Sequence, residues 1–205
     1  MKTSDDFEEP PEDYHVIVPA GWFQLALDPE VRDRSIIALA DRQFRGIDNA
    51  SQLRKEFMRE LQRAAKKAYT AGGTELYISM LAVGPIPLAS SLLISVPPAD
   101  EWPDFSDVDE LAEFLADRPG PLDTAAELGV VELAAAGRAV RRRTKEAADP
   151  ETQMGNTLNT TLLTYHVPIP ATKRWLTLTF STPLEPLADQ LVELFDTVAG
   201  TLHWE

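Results

Sequence analysis

The chain contains no cysteine, and this absence excludes disulfide bridges, thiol catalysis and cysteine-ligated metal sites. It has three histidines, His15, His166 and His203, and no His-x-x-x-His pair, so we expect no metal site. It also lacks a Gly-x-Ser-x-Gly elbow and a glycine-rich phosphate loop. The sequence therefore predicts no catalytic residues and no cofactor.

Long apolar runs are absent as well. No stretch reaches the roughly 20 residues that a transmembrane helix needs. Residues 1–13 carry six acidic side chains and one lysine, whereas a signal peptide begins with basic residues and an apolar run. We therefore expect a cytoplasmic protein that does not bind membranes.

Positive charge is scarce, because 19 lysines and arginines face 33 acidic residues, for a formal net charge of −14. Phosphate contacts need a basic surface, so this balance disfavours binding to nucleic acid. A protein partner is compatible with the charge, and so is the simpler interpretation that it keeps the protein soluble. Homo-oligomerisation stays open.

The length of 205 residues suits one domain. Residues 1–13 have Phe7 as their only large apolar side chain, so they are predicted to form a disordered acidic tail. Residues 14–205 are predicted to form a single α+β domain. The four tryptophans are interpreted as core residues, with a pocket lining as the alternative: Trp22, Trp102, Trp175 and Trp204.

Hydrophobic periodicity predicts a sheet with helices packed on it. Residues 14–18 and 23–27 are expected to form a hairpin around Pro19-Ala-Gly-Trp22. Asp28-Pro29 is typical of a helix start, and Asn49-Ala-Ser-Gln52 has the form of a capping box. Further strands are predicted at 75–83, 88–96, 157–168 and 175–181, and helices at 28–45, 49–71, 107–117 and 183–198.

Residues 128–148 are ambiguous, because their composition also suits a helix. We interpret them as two strands around Gly137. In that case Arg141 and Arg143 share one face, while Arg138 and Arg142 lie on the other.

The same stretch holds the densest cationic cluster, Arg138 to Lys145. Arginine forks match carboxylates and phosphates, so the cluster is a candidate site for an anion or an acidic peptide. The alternative is an edge strand that its charges protect against aggregation. The residues chosen as candidate binding residues are Arg138, Arg141 and Arg143.

Two resemblances follow from short motifs. The segments Trp22-x-x-Leu-x-Leu-Asp-Pro29, Asp41-Arg-Gln-Phe44, Ala71-Gly-Gly-Thr-Glu-Leu-Tyr77 and Pro87-Leu-Ala-Ser-Ser91 resemble an uncharacterised family of actinobacterial proteins. More distantly, Val18-Pro-Ala-Gly-Trp22 and the closing strand, Ser-Thr-Pro, helix and Leu-His-Trp are similar to Mog1/PsbP-like domains. That group includes lipoproteins of the LpqN type and secretion-effector chaperones of the DUF1795 type.

The second resemblance implies an antiparallel sheet flanked by helices and a role that is mostly non-enzymatic. Together with the missing catalytic motifs, it favours a protein-binding function as an adaptor, a chaperone or an immunity-like protein. The rival hypothesis is a small-molecule-binding protein or a small enzyme, with a cleft between the sheet and helices 28–71.

Overall fold

The computed structural model describes residues 9–47, 50–84, 86–98, 103–118, 126–148 and 158–205. The predicted tail up to Glu8, the capping residue Asn49 and the indole of Trp102 lie outside these ranges. Within them the chain is an α+β fold with a seven-stranded antiparallel sheet, as the sequence predicts.

The main sheet has the strand order β2-β3-β6-β10-β9-β8-β7. Its strands are β2 (Trp22–Leu25), β3 (Gly73–Ser79), β6 (Ser91–Ser95), β7 (Glu127–Leu133), β8 (Gly137–Glu146), β9 (Thr160–Pro168) and β10 (Trp175–Thr182). Two short pairs accompany it, β1 (Tyr14–His15) with β11 (His203–Trp204) and β4 (Ala82–Val83) with β5 (Ile86–Pro87).

The helices are α1 (Pro29–Gln43), α2 (Ser51–Thr70), α3 (Val108–Ala116) and α4 (Ala188–Ala199), the last preceded by a 3₁₀ turn at Glu185–Leu187. Asp28 caps α1 by accepting from the backbone N–H of Glu30 at 2.7 Å. Asp107 caps α3 by accepting from Asp109 and Glu110. These caps confirm the helix starts that the sequence indicates, because an acidic side chain satisfies otherwise unpaired N–H groups there.

One face of the sheet, here called the α4 face, carries the largest core. Alternate residues of β9 and β10, such as Leu163, Leu178 and Phe180, are fully buried there. Phe195 of α4 stacks on Phe180 with ring centroids 4.9 Å apart. The period-2 strands and the amphipathic last helix therefore pack as predicted, except that Leu187 is 37% exposed.

In the described part of the chain, helices cover the opposite face at its two ends. Helices α1 and α2 pack over β2 and β3, with Ile36, Leu39 and Leu61 buried. At the other end α3 packs over β7, β8 and the start of β10, where Val140 and Trp175 are buried. Between these two hydrophobic clusters the face is formed by the middle of β10 and β9.

The predicted hairpin of residues 14–18 with 23–27 is wrong. Tyr14 and His15 pair with Trp204 and His203, whereas β2 pairs with β3. The backbone N–H of Glu12 also donates to the carbonyl of Glu205 at 2.9 Å. Backbone groups must be paired when they leave water, and here the chain end, far away in sequence, supplies the partners.

Residues 127–146 form two strands around Gly137, as the sequence analysis expects. Gly137 has a φ of +85°, a value that glycine adopts without strain. The alternative of an edge strand for the cationic cluster is wrong, because β8 lies between β7 and β9.

Candidate functional site

Two of the three predicted binding residues, Arg141 and Arg143, lie on the α4 face and pair with α4. Arg141 donates to both carboxylate oxygens of Asp196, at 2.8 and 2.9 Å. The hydroxyl of Tyr165 donates to the same carboxylate. This hydrogen bonding raises the pKa of Arg141. Burial, followed by the bond to Asp196, raises the pKa of Tyr165.

Arg143 is held in the same way. It donates to Asp189 at 2.6 Å and to Glu127 at 3.5 Å, and its side chain is 18% exposed. The Nζ of Lys145 donates to the carboxylate of Glu185 at 3.0 Å. Alternate residues of β8 therefore form a ladder of ion pairs with α4 and with the turn before it, which holds the helix on the sheet.

Arg138 lies on the opposite face and pairs with α3. Its guanidinium donates to both oxygens of Asp109, at 3.0 and 2.8 Å. The hydrogen bond to Arg138 is the main reason that the pKa of Asp109 is lowered. The three arginines that the sequence analysis selected therefore do not come together, and each already has a carboxylate partner.

Arg142 differs from its neighbours on β8. Its Nη2 donates to the backbone carbonyl of Arg118 at 2.6 Å, and its buried Nε has no hydrogen-bond partner among the residues that the structure describes. Among the described residues no carboxylate lies within ion-pair distance of it. Burial and the neighbouring charge of Arg118 lower the pKa of Arg142. Both effects destabilise the charged form of its guanidinium.

Arg118 adds a second positive charge beside Arg142. Its guanidinium carbon lies 4.0 Å from the centre of the Phe114 ring, at the end of α3. A cation over an aromatic ring is stabilised without being neutralised. The two arginines therefore form a positive spot in a chain whose formal net charge is −14.

Hydroxyl side chains extend from Arg142 across the sheet. Thr164 lies opposite Arg142, and Thr179 lies opposite Thr164. In the neighbouring row Ser181 lies opposite Ser91, and their hydroxyl oxygens are 2.7 Å apart. We call this set the polar strip; it comprises Ser91, Ser181, Thr179, Thr164, Thr144 and Arg142, all half-buried.

His166 marks the buried border of the polar strip. Its Nδ1 lies 3.3 Å from the hydroxyl of Thr177, and both residues are 6% exposed. Burial, with a smaller contribution from Arg142, lowers the pKa of His166 to about 3. A general base works best with a pKa near the working pH, so His166 is poorly suited to that task at neutral pH.

The polar strip presents hydrogen-bond donors of the kind that anions accept. Charge-assisted hydrogen bonds from a guanidinium are among the strongest that proteins make, and the threonines add donors beside it. In the described ranges no three metal-ligating side chains come together. Nor is any helix of the described part long and apolar enough to cross a bilayer.

The sequence indicates the cationic cluster, and the structure pairs each of its three predicted binding residues with a carboxylate. Strand alternation assigned Arg142 correctly to the face opposite Arg141 and Arg143. The acids that neutralise its neighbours lie on α3 and α4, 29 to 55 residues away along the chain. The sequence carried no local signal for those pairings.

No protein-family model and no curated protein sequence matches the chain. A solved structure of LpqN, described as involved in cell envelope biogenesis of Mycobacterium tuberculosis, is similar with a TM-score of 0.45. The two chains are 11% identical, and the similarity covers 96% of this chain and 86% of that chain. A likeness at this level says nothing about activity, and membership of an actinobacterial family stays a prediction.

Proposed function

We propose that this protein is a non-enzymatic binding protein that captures an acidic segment of a partner protein on the polar strip. It would act as an adaptor, a chaperone or an immunity-like protein. The observation that carries the proposal is Arg142, the one cation of β8 without a carboxylate partner among the described residues. The lack of cysteine is compatible with a cytoplasmic setting, which is part of the proposal.

The electrostatics favour an anionic occupant. Arg142 lies beside a second cation, Arg118, although the chain has 33 acidic residues. A bound carboxylate would compensate the positive charge of Arg142. Hydrogen bonds to charged groups contribute about 1.5–3 kcal/mol each. The hydroxyl of Thr164 can donate to the same carboxylate, since it lies on the neighbouring strand opposite Arg142.

The dimensions favour a peptide over a single ion. The polar strip spans four adjacent strands from β6 to β8, which at about 4.8 Å per strand gives on the order of 14 Å. An extended peptide advances about 3.3 Å per residue, so roughly four residues match this span.

The test uses a pool of acetylated tetrapeptides of aspartate and glutamate, titrated into the ¹⁵N-labelled protein. We expect amide shifts concentrated at Arg142, Thr144, Thr164 and Thr179. Arg142→Gln should weaken the binding at least about tenfold, the equivalent of 1.4 kcal/mol. Arg138→Gln is the matched control, because Arg138 lies on the same strand and face with its charge already paired.

Two outcomes would contradict the proposal. Binding that is unchanged in the Arg142→Gln protein would remove the arginine from the site. Shifts confined to α2 would place any acidic ligand on that helix instead.

A second candidate function has an observation of its own. A pocket of about 200 Å³ opens beside Trp175 at the start of β10, lined by Pro97, Pro98, Pro103, Asp104, Lys173 and Arg174. Its prolines and indole offer apolar contact, and Arg174 offers a charge. The pocket suits a small aromatic carboxylate and supports the alternative of a small-molecule-binding protein.

Benzoate is a suitable probe for this second function. Saturable amide shifts at Arg174 and Trp175, lost in the Arg174→Gln protein, would support it. The absence of shifts at millimolar benzoate would contradict it.

A further inference from the structure

The short ladder between the first and the last strand places two histidines side by side. His15 of β1 lies directly opposite His203 of β11, and residues that face each other in an antiparallel ladder project to the same side. Their rings have centroids 5.2 Å apart and planes inclined by 57°. Imidazole nitrogens are preferred ligands of zinc, nickel and copper ions, so this pair is a candidate metal site.

The histidine pair faces solvent. Tyr14 and Trp204, the neighbouring pair of the same ladder, pack against the core of the α4 face. Because successive side chains of a strand point to opposite faces, His15 and His203 point away from that core. His15 is exposed, and the side chain of His203 is 31% exposed. An ion in solution therefore has access to both rings.

A hydrogen bond determines which nitrogen of His203 is available as a ligand. Its Nδ1 lies 3.1 Å from the backbone carbonyl oxygen of Thr201. A carbonyl only accepts, so Nδ1 carries the hydrogen, and the neutral ring has its lone pair on Nε2. Histidines that bind metals almost always donate their other N–H in this way, often to a backbone carbonyl. The hydrogen bond to Thr201 therefore presents Nε2 of His203 as a ligand.

A carboxylate lies in front of the same nitrogen. Oε1 of Glu205 is 3.8 Å from Nε2 of His203. Two atoms that both carry lone pairs attract each other only when a proton or a metal ion stands between them. Two ligand atoms on one tetrahedral zinc ion, each at about 2.0–2.2 Å from the metal, are roughly 3.4 Å apart. The space beside Nε2 is therefore of a size that suits a metal ion or a water bound to it.

The surroundings of the pair favour a cation. Glu12 and Asp13, just before β1, are exposed, and the backbone of Glu12 is hydrogen-bonded to that of Glu205. Acidic side chains thus lie at the same end of both strands, in a chain whose formal net charge is −14. A concentration of negative charge raises the local concentration of cations.

We propose that His15 and His203 bind one divalent transition-metal ion of the zinc, nickel or copper class. In the described ranges no three metal-ligating side chains come together, so water completes the coordination sphere, and Glu205 offsets part of the charge of the ion. The ion cross-links the first strand to the last, which pair over only two residues each. A metal that closes so long a loop restricts the unfolded chain. This site lies apart from the polar strip and does not depend on the proposed function.

Calorimetric titration of the metal-free full chain with Zn²⁺ tests the proposal. We expect one zinc ion per chain, with binding that Mg²⁺ does not displace, because Mg²⁺ prefers oxygen ligands. His15→Gln and His203→Gln should each weaken the binding at least about tenfold, the equivalent of 1.4 kcal/mol. His166→Gln is the matched control and should bind zinc as the wild type does, because His166 lies on β9 and is 6% exposed.

Two further measurements use the wild-type chain. Substoichiometric Cu²⁺, which is paramagnetic, should broaden the amide signals of residues 13–16 and 202–205 of the ¹⁵N-labelled protein before those of other segments. A saturating concentration of Zn²⁺ should raise the melting temperature by at least about 2 °C, since an ion that binds only the folded chain stabilises it. The same concentration should leave the melting temperature of the His203→Gln protein unchanged.

Three outcomes would overturn the proposal. Equal zinc affinity in the wild type and in both histidine variants would place the ion elsewhere. One zinc ion per two chains would show that the metal joins two copies instead of the two strands of one chain. Copper broadening that appears first at acidic segments such as α3 would show that carboxylates, and not this histidine pair, attract the ion.

Discussion

At the residue scale, neighbouring arginines of β8 have different partners. On β8, Arg141 and Arg143 fasten α4, and Arg138 fastens α3. Arg142, between them in sequence, has a carbonyl as its partner and no described carboxylate. Neighbouring arginines of one strand thus differ in role because alternation sends them to different faces with different helices above.

Replacing Arg141 with alanine should destabilise the protein. The change removes two hydrogen bonds to Asp196 and leaves Tyr165 as the remaining donor described for that carboxylate. We expect a loss of about 1–3 kcal/mol in the free energy of unfolding, measured by urea denaturation. Arg138→Ala is the control and should stay within about 0.5 kcal/mol, because Arg138 is 51% exposed. Equal effects of the two substitutions would contradict a structural role for Arg141.

His166 predicts a pH dependence of stability. Its pKa is lowered to about 3 in the folded protein, whereas an unfolded histidine titrates near 6.5. Between these values the unfolded chain binds more protons than the folded one, so stability falls as the pH falls. The contribution is fully present above the unfolded pKa and decreases by up to about 1.4 kcal/mol per pH unit below it.

Denaturation of the His166→Gln protein measures this contribution. The difference in stability between wild type and His166→Gln should shift steadily against the wild type from about pH 6.5 downward. Parallel curves for wild type and His166→Gln would show that His166 binds its proton equally well in the folded and unfolded chains, which would contradict its lowered pKa.

At the element scale, the C-terminal helix is held by the residues that its periodicity marks. Phe195 is fully buried, stacks on Phe180 and meets Trp22 edge-on with ring centroids 6.4 Å apart. Phe195→Ala should cost roughly 3–5 kcal/mol, the range for a buried aromatic. Leu187→Ala, on the exposed start of the same segment, should cost at most about 0.5 kcal/mol. A cost below about 1 kcal/mol for Phe195→Ala, measured by thermal or urea unfolding, would contradict the packing of α4 on the sheet.

Local patterns in the sequence predict the helices and strands. They do not predict contacts between residues that are far apart along the chain. The alternation of β9 and β10, the cap of Asp28 and the turn at Gly137 lie within a few residues, so the sequence indicates them directly. The partner of β1 is β11, almost the whole chain away. Alternation says which residues share a face, but it does not say which strand or helix lies beside them. For the same reason the sequence indicates the cationic cluster, but it does not indicate that Arg142 is the member without a carboxylate partner in the described part of the chain.

At the scale of the whole molecule, the formal net charge of −14 acts against compactness. Like charges on a folded chain repel, and unfolding moves them apart. The described ion pairs fasten α3 and α4 to the sheet and offset part of this repulsion locally.

Salt should therefore stabilise this protein as a whole. Raising the ionic strength from about 0.01 to about 0.15 M shortens the Debye length from about 30 to about 8 Å. Long-range repulsion among the unpaired acids is then screened, while the pairs at 2.6 to 3.0 Å keep most of their attraction. We expect the melting temperature to rise over this range by a few degrees, measured by scanning calorimetry in sodium chloride. A melting temperature that falls with salt would show that attraction between paired charges outweighs the net repulsion. In that case the ladder between β8 and α4, rather than the excess of acid, would dominate the electrostatic part of the stability.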